Sequence, residues 1–401
     1  MDKLFYINTD NTISYSQLIS ELNSKDKFAA VIYEKKVIDI FSNIIYSLLI
    51  NSPIVLLDSD LSESEISELN IPKFESEPNH KNCRIENAGQ LIQKCLNADQ
   101  WSVTLFTSGT TGLPKKVTHT LKSLLRGVKL GAAYQDTVWG FTYNPTHIAG
   151  LQVLLQAFLN HSSVVDLYKK KSKEIFALIK EHNVTHISAT PTFYRILEDG
   201  ILKSVKRVTS GGEKLDQNTE AKIGRLFPNG KLSNIYASTE AGTLFVAKGD
   251  IFIVPENIKN LVRIENNELL ISAELMGQAD FLSEREWYHT GDLVEILNEE
   301  PLQFRFVSRK NEMINIGGMK VNPGEVEDVL LQVPHIRQVR VYGQENKLIG
   351  QILAADIVTD SDILEKEIRI FMKDKLQNYK IPRVINFVQA LETTRTGKIK
   401  R

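Results

Sequence analysis

Thr107-Ser108-Gly109-Thr110-Thr111-Gly112-Leu113-Pro114-Lys115-Lys116 packs four hydroxyl side chains, two glycines and a lysine pair into one short stretch. Glycines let backbone N–H groups turn toward an anion, hydroxyls add donors, and lysine supplies countercharge, so the stretch is suited to phosphate oxygens. It is not a Walker A loop, because Pro114 stands where the second glycine would be and no Gly-Lys-Ser/Thr ending follows. A polar surface loop of the same composition is the competing reading. Other reactive side chains are sparse. His182 and His186 are four residues apart but fall across a helix-to-strand change with no zincin glutamate, so no zinc site is expected there. Cys83 and Cys95 are too few for a disulfide scaffold or a cysteine zinc site and suit a reducing cytosol.

The elements that must position this loop alternate. Val103-Thr104-Leu105-Phe106 reads as the strand entering it, and 121–130 as a helix following it. Further on, strands at 164–167, 186–189 and 205–208 alternate with helices at 172–181 and 193–198, Pro191 closing the strand at 186–189. Such alternation predicts α/β layers around a largely parallel sheet. Between Ile251 and Phe306 short strands with turns predict a smaller β subdomain. After Arg309 the pattern changes again, with a helix opened by Pro323, strands at 339–342 and 352–355, and an amphipathic helix at 363–376. These shifts divide the chain into residues 1–310 and a small α+β lid, 311–401.

Length and charge agree. With 401 residues and about 150 per domain, roughly two to three domains are expected. Lys+Arg 48 against Asp+Glu 49 leaves a net charge of -1, which creates no field to draw in nucleic acid or anionic lipid. The apolar share of 42% excludes disordered and fibrous classes. The uncharged run 40–57 breaks at Pro53 into an apolar helix and a buried strand, and the apolar helix within 137–165 is too short to span a bilayer of about 20 residues. Residues 1–8 lack an apolar signal core, so a cytoplasmic protein without a membrane span is expected.

The loop resembles the phosphate-loop signature of the adenylate-forming superfamily of acyl- and aryl-CoA ligases, luciferases and peptide-synthetase adenylation domains. Four further motifs follow in that superfamily's order. Asn234-Ile235-Tyr236-Ala237-Ser238-Thr239-Glu240 is similar to the adenine and magnesium motif, and Tyr288-His289-Thr290-Gly291-Asp292-Leu293 to the ribose motif. Ser308-Arg309-Lys310-Asn311 through Gly318-Met319-Lys320-Val321-Asn322-Pro323-Gly324-Glu325 resembles the hinge and the loop beyond it, and Thr394-Arg395-Thr396-Gly397-Lys398-Ile399-Lys400-Arg401 the terminal lysine motif. Weaker similarity reaches back to Thr12-Ile13-Ser14-Tyr15. Taken singly, Glu240 or Asp292 could be a solvated carboxylate, Tyr236 a core aromatic and Lys398 a tail cation; the ordered set carries the chemistry.

The resemblance implies an acyl-CoA synthetase-like fold and a two-step ligase. A carboxylate oxygen attacks the α-phosphorus of ATP, and a thiol then takes the acyl group from the acyl-adenylate. Thr107, Ser108, Gly109, Thr110, Thr111, Gly112 and Lys115 would cradle phosphates. Gly211, Gly212, Glu213, Tyr236, Ala237, Ser238 and Thr239 would surround the adenylate. Asp292 and Arg309 would hold ribose, Glu240 would help hold Mg²⁺, and Lys398 would bridge substrate carboxylate and α-phosphate; Thr107, Glu240 and Lys398 form the catalytic set. His147, in Asn144-Pro145-Thr146-His147-Ile148-Ala149-Gly150, resembles the histidine of the acyl pocket, with Ala237 beside it; a satisfied core histidine competes. Asn311 would be the hinge, and Gly317 and Gly318 the loop serving thioester formation, a plain hairpin turn being the alternative. Departures from the family pattern are Ala237 for Gly, Lys116 for Gly, Asn311 for Asp or Lys, Asn315 for Lys, and Glu392 for Pro. The implied substrates are ATP with Mg²⁺, an apolar or aromatic carboxylic acid and CoA. A carrier protein as acceptor, a non-catalytic nucleotide-binding module and a homodimer are the alternatives and assemblies compatible with the same motifs.

Overall fold

The computed structural model describes residues 2–25, 27–69, 71, 84–107, 115–279, 286–316, 319–346, 350–394 and 398–400. Its largest element is a 13-stranded sheet. Six strands run parallel in the order Leu4–Ile7, Ser163–Asp166, Val138–Phe141, His186–Ala189, Arg207–Gly211, Lys231–Ser238. Beyond Lys231–Ser238 the pairing turns antiparallel through Gly242–Lys248, Ile251–Ile253, Leu302–Arg309, Trp287–Glu299, Glu268–Ser272 and Val262–Glu265. The β-rich stretch after Ile251 is therefore a continuation of the main sheet, although it keeps a core of its own around Phe245, Phe304 and Ile271. The change of sense falls at the turn between Ser238 and Gly242, beside the carboxyl ends of the parallel strands, where ligands of open α/β sheets bind.

A second sheet pairs Val31–Ile32, Ile54–Leu56 and Ser102–Thr107 in parallel and adds Lys115–Thr120 antiparallel, with Thr107 opposite Lys115. The helix Val37–Leu49 packs behind it, all but uniformly apolar on its inner face, and the fully buried Trp101 donates from Nε1 to Ser47 Oγ at 2.8 Å.

Some expected elements shift. The helix expected at 121–130 stops at Leu125: Arg126 turns its guanidinium to the carbonyls of Ala241 and Leu275, and a β-carbon on Gly127 would come within 3.0 Å of Gln152 Nε2. Pro191 opens a helix, Pro191–Ile196, instead of merely closing a strand: Thr190 caps it, and proline at the first turn gives up a donor that would have been unpaired anyway. The strand expected at 205–208 spans Arg207–Gly211, and the amphipathic helix expected at 363–376 is Glu365–Lys373.

The small C-terminal domain packs Pro323–Leu330 and Glu365–Lys373 against a three-stranded sheet of Ile336–Asn346, Gly350–Thr359 and Val384–Phe387. Its core is separate, built on Val321, Val326, Leu330, Val341, Leu353, Ile368 and Met372. No helix among the described residues is long and apolar enough to cross a membrane.

Candidate active site

Four segments converge on the turn where the sheet changes sense. Ser238 Oγ accepts from Ala241 N at 3.2 Å, and Gly242 takes a φ of 70°, a conformation that favours glycine. The turn is held from outside as well. His119 Nε2 lies 2.7 Å from the Thr239 carbonyl, and Gly277 N donates to the Glu240 carbonyl at 2.6 Å. Its backbone is thus immobilised, while the Glu240 carboxylate makes no hydrogen bond or ion pair among the described residues. A half-buried, uncommitted hard anion at this position fits Mg²⁺, which keeps few protein ligands when it arrives on phosphates.

On the antiparallel side, Asp292 is only 2% exposed. Its Oδ2 accepts from the Tyr236 hydroxyl at 2.5 Å, and Arg309 Nε lies 2.9 Å from Oδ1 as an ion pair. That approach is not aligned as a hydrogen bond: Oδ1 is one of the buried oxygens without a hydrogen-bond partner among the described residues. An orphaned carboxylate oxygen held in place fits a donor such as a ribose hydroxyl. Burial raises the Asp292 carboxyl above its ordinary range, against the pull of Arg309 and Tyr236. Burial, with Asp292 adding to it, also holds the Tyr236 hydroxyl protonated, so it donates at all ordinary pH. The Tyr236 ring rests on Phe245, with centroids 5.5 Å apart.

Sequence reasoning missed Glu268, a 7% exposed carboxylate that ties Gly291 to Lys310. Its Oε1 accepts from Gly291 N at 3.1 Å and its Oε2 meets Lys310 Nζ at 3.3 Å. Burial alone would raise its carboxyl, but the Gly291 amide and Lys310 hold it below the ordinary range.

The terminal motif docks on the opposite wall. Glu213 Oε2 accepts from Thr192 N at 3.0 Å and its Oε1 from Ile399 N at 3.2 Å, so one carboxylate clasps both domains. Lys398 lies over Gly212, whose φ is 83°; a β-carbon there would sit 3.3 Å from Lys398 Cε. Gly211 is needed for packing, since a β-carbon on it would come within 2.6 Å of Ile235 Cγ1. Burial and the nearby Arg309 lower the Lys398 ammonium from its ordinary value, while Glu213, Asp292 and Glu240 oppose the shift. Those three carboxylates and one lysine thus share one electrostatic neighbourhood.

His147 precedes the helix Ile148–Phe158 at its N-cap position without a side-chain capping bond, and Gln152 of that helix accepts from Thr243 Oγ1 at 3.0 Å just beyond the turn. His147 Nε2 is 3.2 Å from Asp58 Oδ2, which also accepts from Asn144 Nδ2 at 2.9 Å. Asp58 was not singled out in the sequence. Ala237 is half-buried on the strand leading to the turn, opposite Thr243. Asn311 is exposed in the 3₁₀ turn Lys310–Glu312. Ser108, Gly109, Thr110, Thr111 and Gly112 lie outside the described residues, as do Gly317 and Gly318, although Ile316 and Met319 on either side pair antiparallel. Thr107 ends its strand opposite Lys115.

Comparison with known proteins gives the family and the fold. The family of AMP-binding enzymes matches residues 48–262, and the AMP-binding enzyme C-terminal domain matches residues 325–398. The 2-succinylbenzoate–CoA ligase of Staphylococcus aureus strain Newman is 28% identical over 344 residues, covering 79% of this chain and 69% of that protein. Among solved structures, o-succinylbenzoate CoA synthetase from Bacillus subtilis, in complex with its acyl-adenylate intermediate, superposes with a TM-score of 0.70 at 19% identity, covering 99% of this chain and 94% of that one. An anthranilate CoA ligase in complex with anthranoyl-AMP gives 0.73 at 18% identity, covering 99% and 92%. With both of its domains matched, the chain belongs to the AMP-binding enzymes, the adenylate-forming superfamily of acyl- and aryl-CoA ligases.

Proposed function

We propose that this enzyme is an ATP-dependent carboxylate–CoA ligase acting on an aromatic or apolar acid in the cytoplasm. In the first step a carboxylate oxygen attacks the α-phosphorus of ATP and pyrophosphate leaves. In the second the CoA sulfur, having lost its proton, attacks the acyl carbon and AMP leaves. Two anions must meet in the first step, so preorganised cations and donors are the main catalytic lever. Lys398 answers that need: it reaches over Gly212 with its own backbone anchored through the Ile399 amide to Glu213. Asp292 Oδ1 is free to accept from ribose while Arg309 and Tyr236 hold the carboxylate still. Mg²⁺, when bound with ATP, neutralises phosphate charge, and Glu240 is the residue that would help hold it. Thr107 and Lys115, flanking the loop from paired strands, would bring its donors to the phosphates.

The docking of Lys398 against Gly212 is the observation that carries the reading, because it brings the small domain to the adenylate site in an arrangement suited to the first step. Similarity to 2-succinylbenzoate–CoA ligase supports an aryl acid, and that acid heads the panel to be tested. Acid-dependent pyrophosphate release should appear with one member of a panel of 2-succinylbenzoate, benzoate, anthranilate and medium-chain acids, and AMP release should accelerate on adding CoA. Pyrophosphate release with acceleration only by a carrier protein would move the acceptor. ATP binding without turnover on any acid would make the chain a nucleotide-binding module.

A further inference from the structure

Away from the adenylate site, the helix Gln217–Leu226 faces residues 331–337 of the small domain across a cleft of about 250 Å³. Arg195, Lys222 and Arg225 line one wall, His335 and Arg337 the other, and Asp216 is the single acid among the lining residues. The domains are stapled at its edge: Lys214 Nζ meets Asp328 Oδ2 at 2.5 Å, and Asn218 Nδ2 donates to the Leu331 carbonyl.

The cations are not all matched. Arg195 Nε pairs with Asp216 at 3.2 Å, and Arg337 pairs with Asp360, which also takes His335 Nδ1 at 3.1 Å. Among the described residues Lys222 Nζ reaches neutral acceptors alone, the carbonyls of Arg195 at 2.8 Å and of Leu197. Arg225 has no hydrogen-bond or ion-pair partner among the described residues. Burial lowers the Lys222 ammonium; Asp199, in electrostatic range without bonding it, opposes this, while Arg337 and Arg225 repel it further. Like charges from both domains thus press on one another in a concave space, and a doubly charged oxyanion would neutralise them.

We propose that this cleft binds a phosphate dianion, held between Arg225 and Lys222 on the large domain and Arg337 on the small one. Because one wall comes from each domain, the bound anion stabilises the same docked arrangement that puts Lys398 over Gly212. The site is separate from Lys398 and Gly212, and its occupant is either free phosphate or the phosphomonoester of a nucleotide taken from solution.

Calorimetric titration of the full chain, its adenylate site saturated with adenosine 5′-sulfamate, which carries no phosphate, and at constant ionic strength, tests this with two titrants: inorganic phosphate and adenosine 3′,5′-bisphosphate. Saturable binding is expected, weakened about tenfold in Arg225→Glu and likewise in Arg337→Glu, as expected when one charge-assisted contact is reversed. Tighter binding of the bisphosphate assigns the site to a nucleotide, and equal binding assigns it to free phosphate. Arg337→Gln, which keeps the side chain's bulk, serves if Arg337→Glu melts early. No second binding event, or affinity unchanged in Arg225→Glu, overturns the site; loss with Arg225→Glu but not with either Arg337 variant overturns the bridge between domains.

Discussion

His119 Nε2 stands 2.7 Å from the carbonyl oxygen of Thr239, joining the strand that leaves the phosphate loop to the turn that carries Glu240. A carbonyl only accepts, so Nε2 carries the proton and Nδ1 faces Ser123 Oγ at 3.4 Å. Burial lowers the pKa of the ring and keeps it neutral, with the Thr239 carbonyl opposing and Arg126 reinforcing the shift.

Removing the donor leaves a half-buried carbonyl without its partner, at a cost of up to about 1–3 kcal/mol, and frees the turn to move. His119→Phe should therefore raise the KM for ATP–Mg²⁺ about tenfold by the same energy, leaving the KM for the acid near wild type. His119→Gln retains a donor and should recover much of the loss. Initial rates of pyrophosphate release against ATP and acid separate the effects; an unchanged ATP dependence in His119→Phe would falsify the positioning role.

Asp58 makes a second such link, from the end of the strand Ile54–Leu56 to His147 and Asn144 in front of the helix Ile148–Phe158. If His147 borders the acyl pocket, releasing it disturbs the acid and leaves the nucleotide alone. Asp58→Leu should raise the KM for the acid several-fold, roughly the 1–3 kcal/mol of a broken buried polar contact, with the KM for ATP flat. Asp58→Asn, which still accepts at one oxygen, should fall between. The reverse pattern in the same steady-state assay would put His147 elsewhere.

These links also mark where reading the sequence stops. Glu240, Asp292, Arg309 and Lys398 stand out because each sits in a compact motif with a fixed order. Asp58, His119 and Glu268 belong to no motif, and their partners lie 89, 120 and 42 residues away for His147, Thr239 and Lys310. Strand continuity was hidden for the same reason: whether Gly242–Lys248 pairs back on Lys231–Ser238 depends on long-range register, not on the pattern within either strand. Helix ends were legible where capping residues are explicit, as at Pro323, and misjudged where a tertiary contact ends the helix, as at Arg126.

His186 supplies an acid-stability test. Its strand pairs it between Trp139 and Arg207, and burial together with Arg207 and Lys206 pushes its pKa down to about 4. The unfolded chain, with an ordinary histidine near 6.5, binds this proton more readily than the folded one. Stability from the neutral form is thus present above about pH 6.5 and is lost as pH falls toward 4. Solvent screening limits the effect to about 1–2 kcal/mol. His186→Gln should flatten the Tm profile between pH 6.5 and pH 4; an identical acid slope in variant and wild type would remove His186 as its source.

Lys398 gives the test of the adenylation centre itself. The role proposed for it requires the cation, and burial with Arg309 nearby lowers the ammonium from its ordinary value of 10.5 in the free enzyme. The protonated form prevails at low pH and is lost as pH rises, so kcat/KM for acid-dependent pyrophosphate release should fall on the alkaline side with a midpoint below 10.5. Lys398→Arg, whose guanidinium does not titrate in this range, should keep part of the rate and carry it to higher pH. Lys398→Ala should lose adenylation by about 10²–10³-fold, the scale of removing one preorganised charge at a developing anion, while transfer to CoA from supplied acyl-adenylate survives. Because Ile399 rather than Lys398 makes the clasp with Glu213, the small domain should still dock in that variant, and its melting temperature should stay close to wild type. Equal loss of both half-reactions in a folded Lys398→Ala would mean that the lysine supports the fold of the site and not the meeting of carboxylate and phosphate.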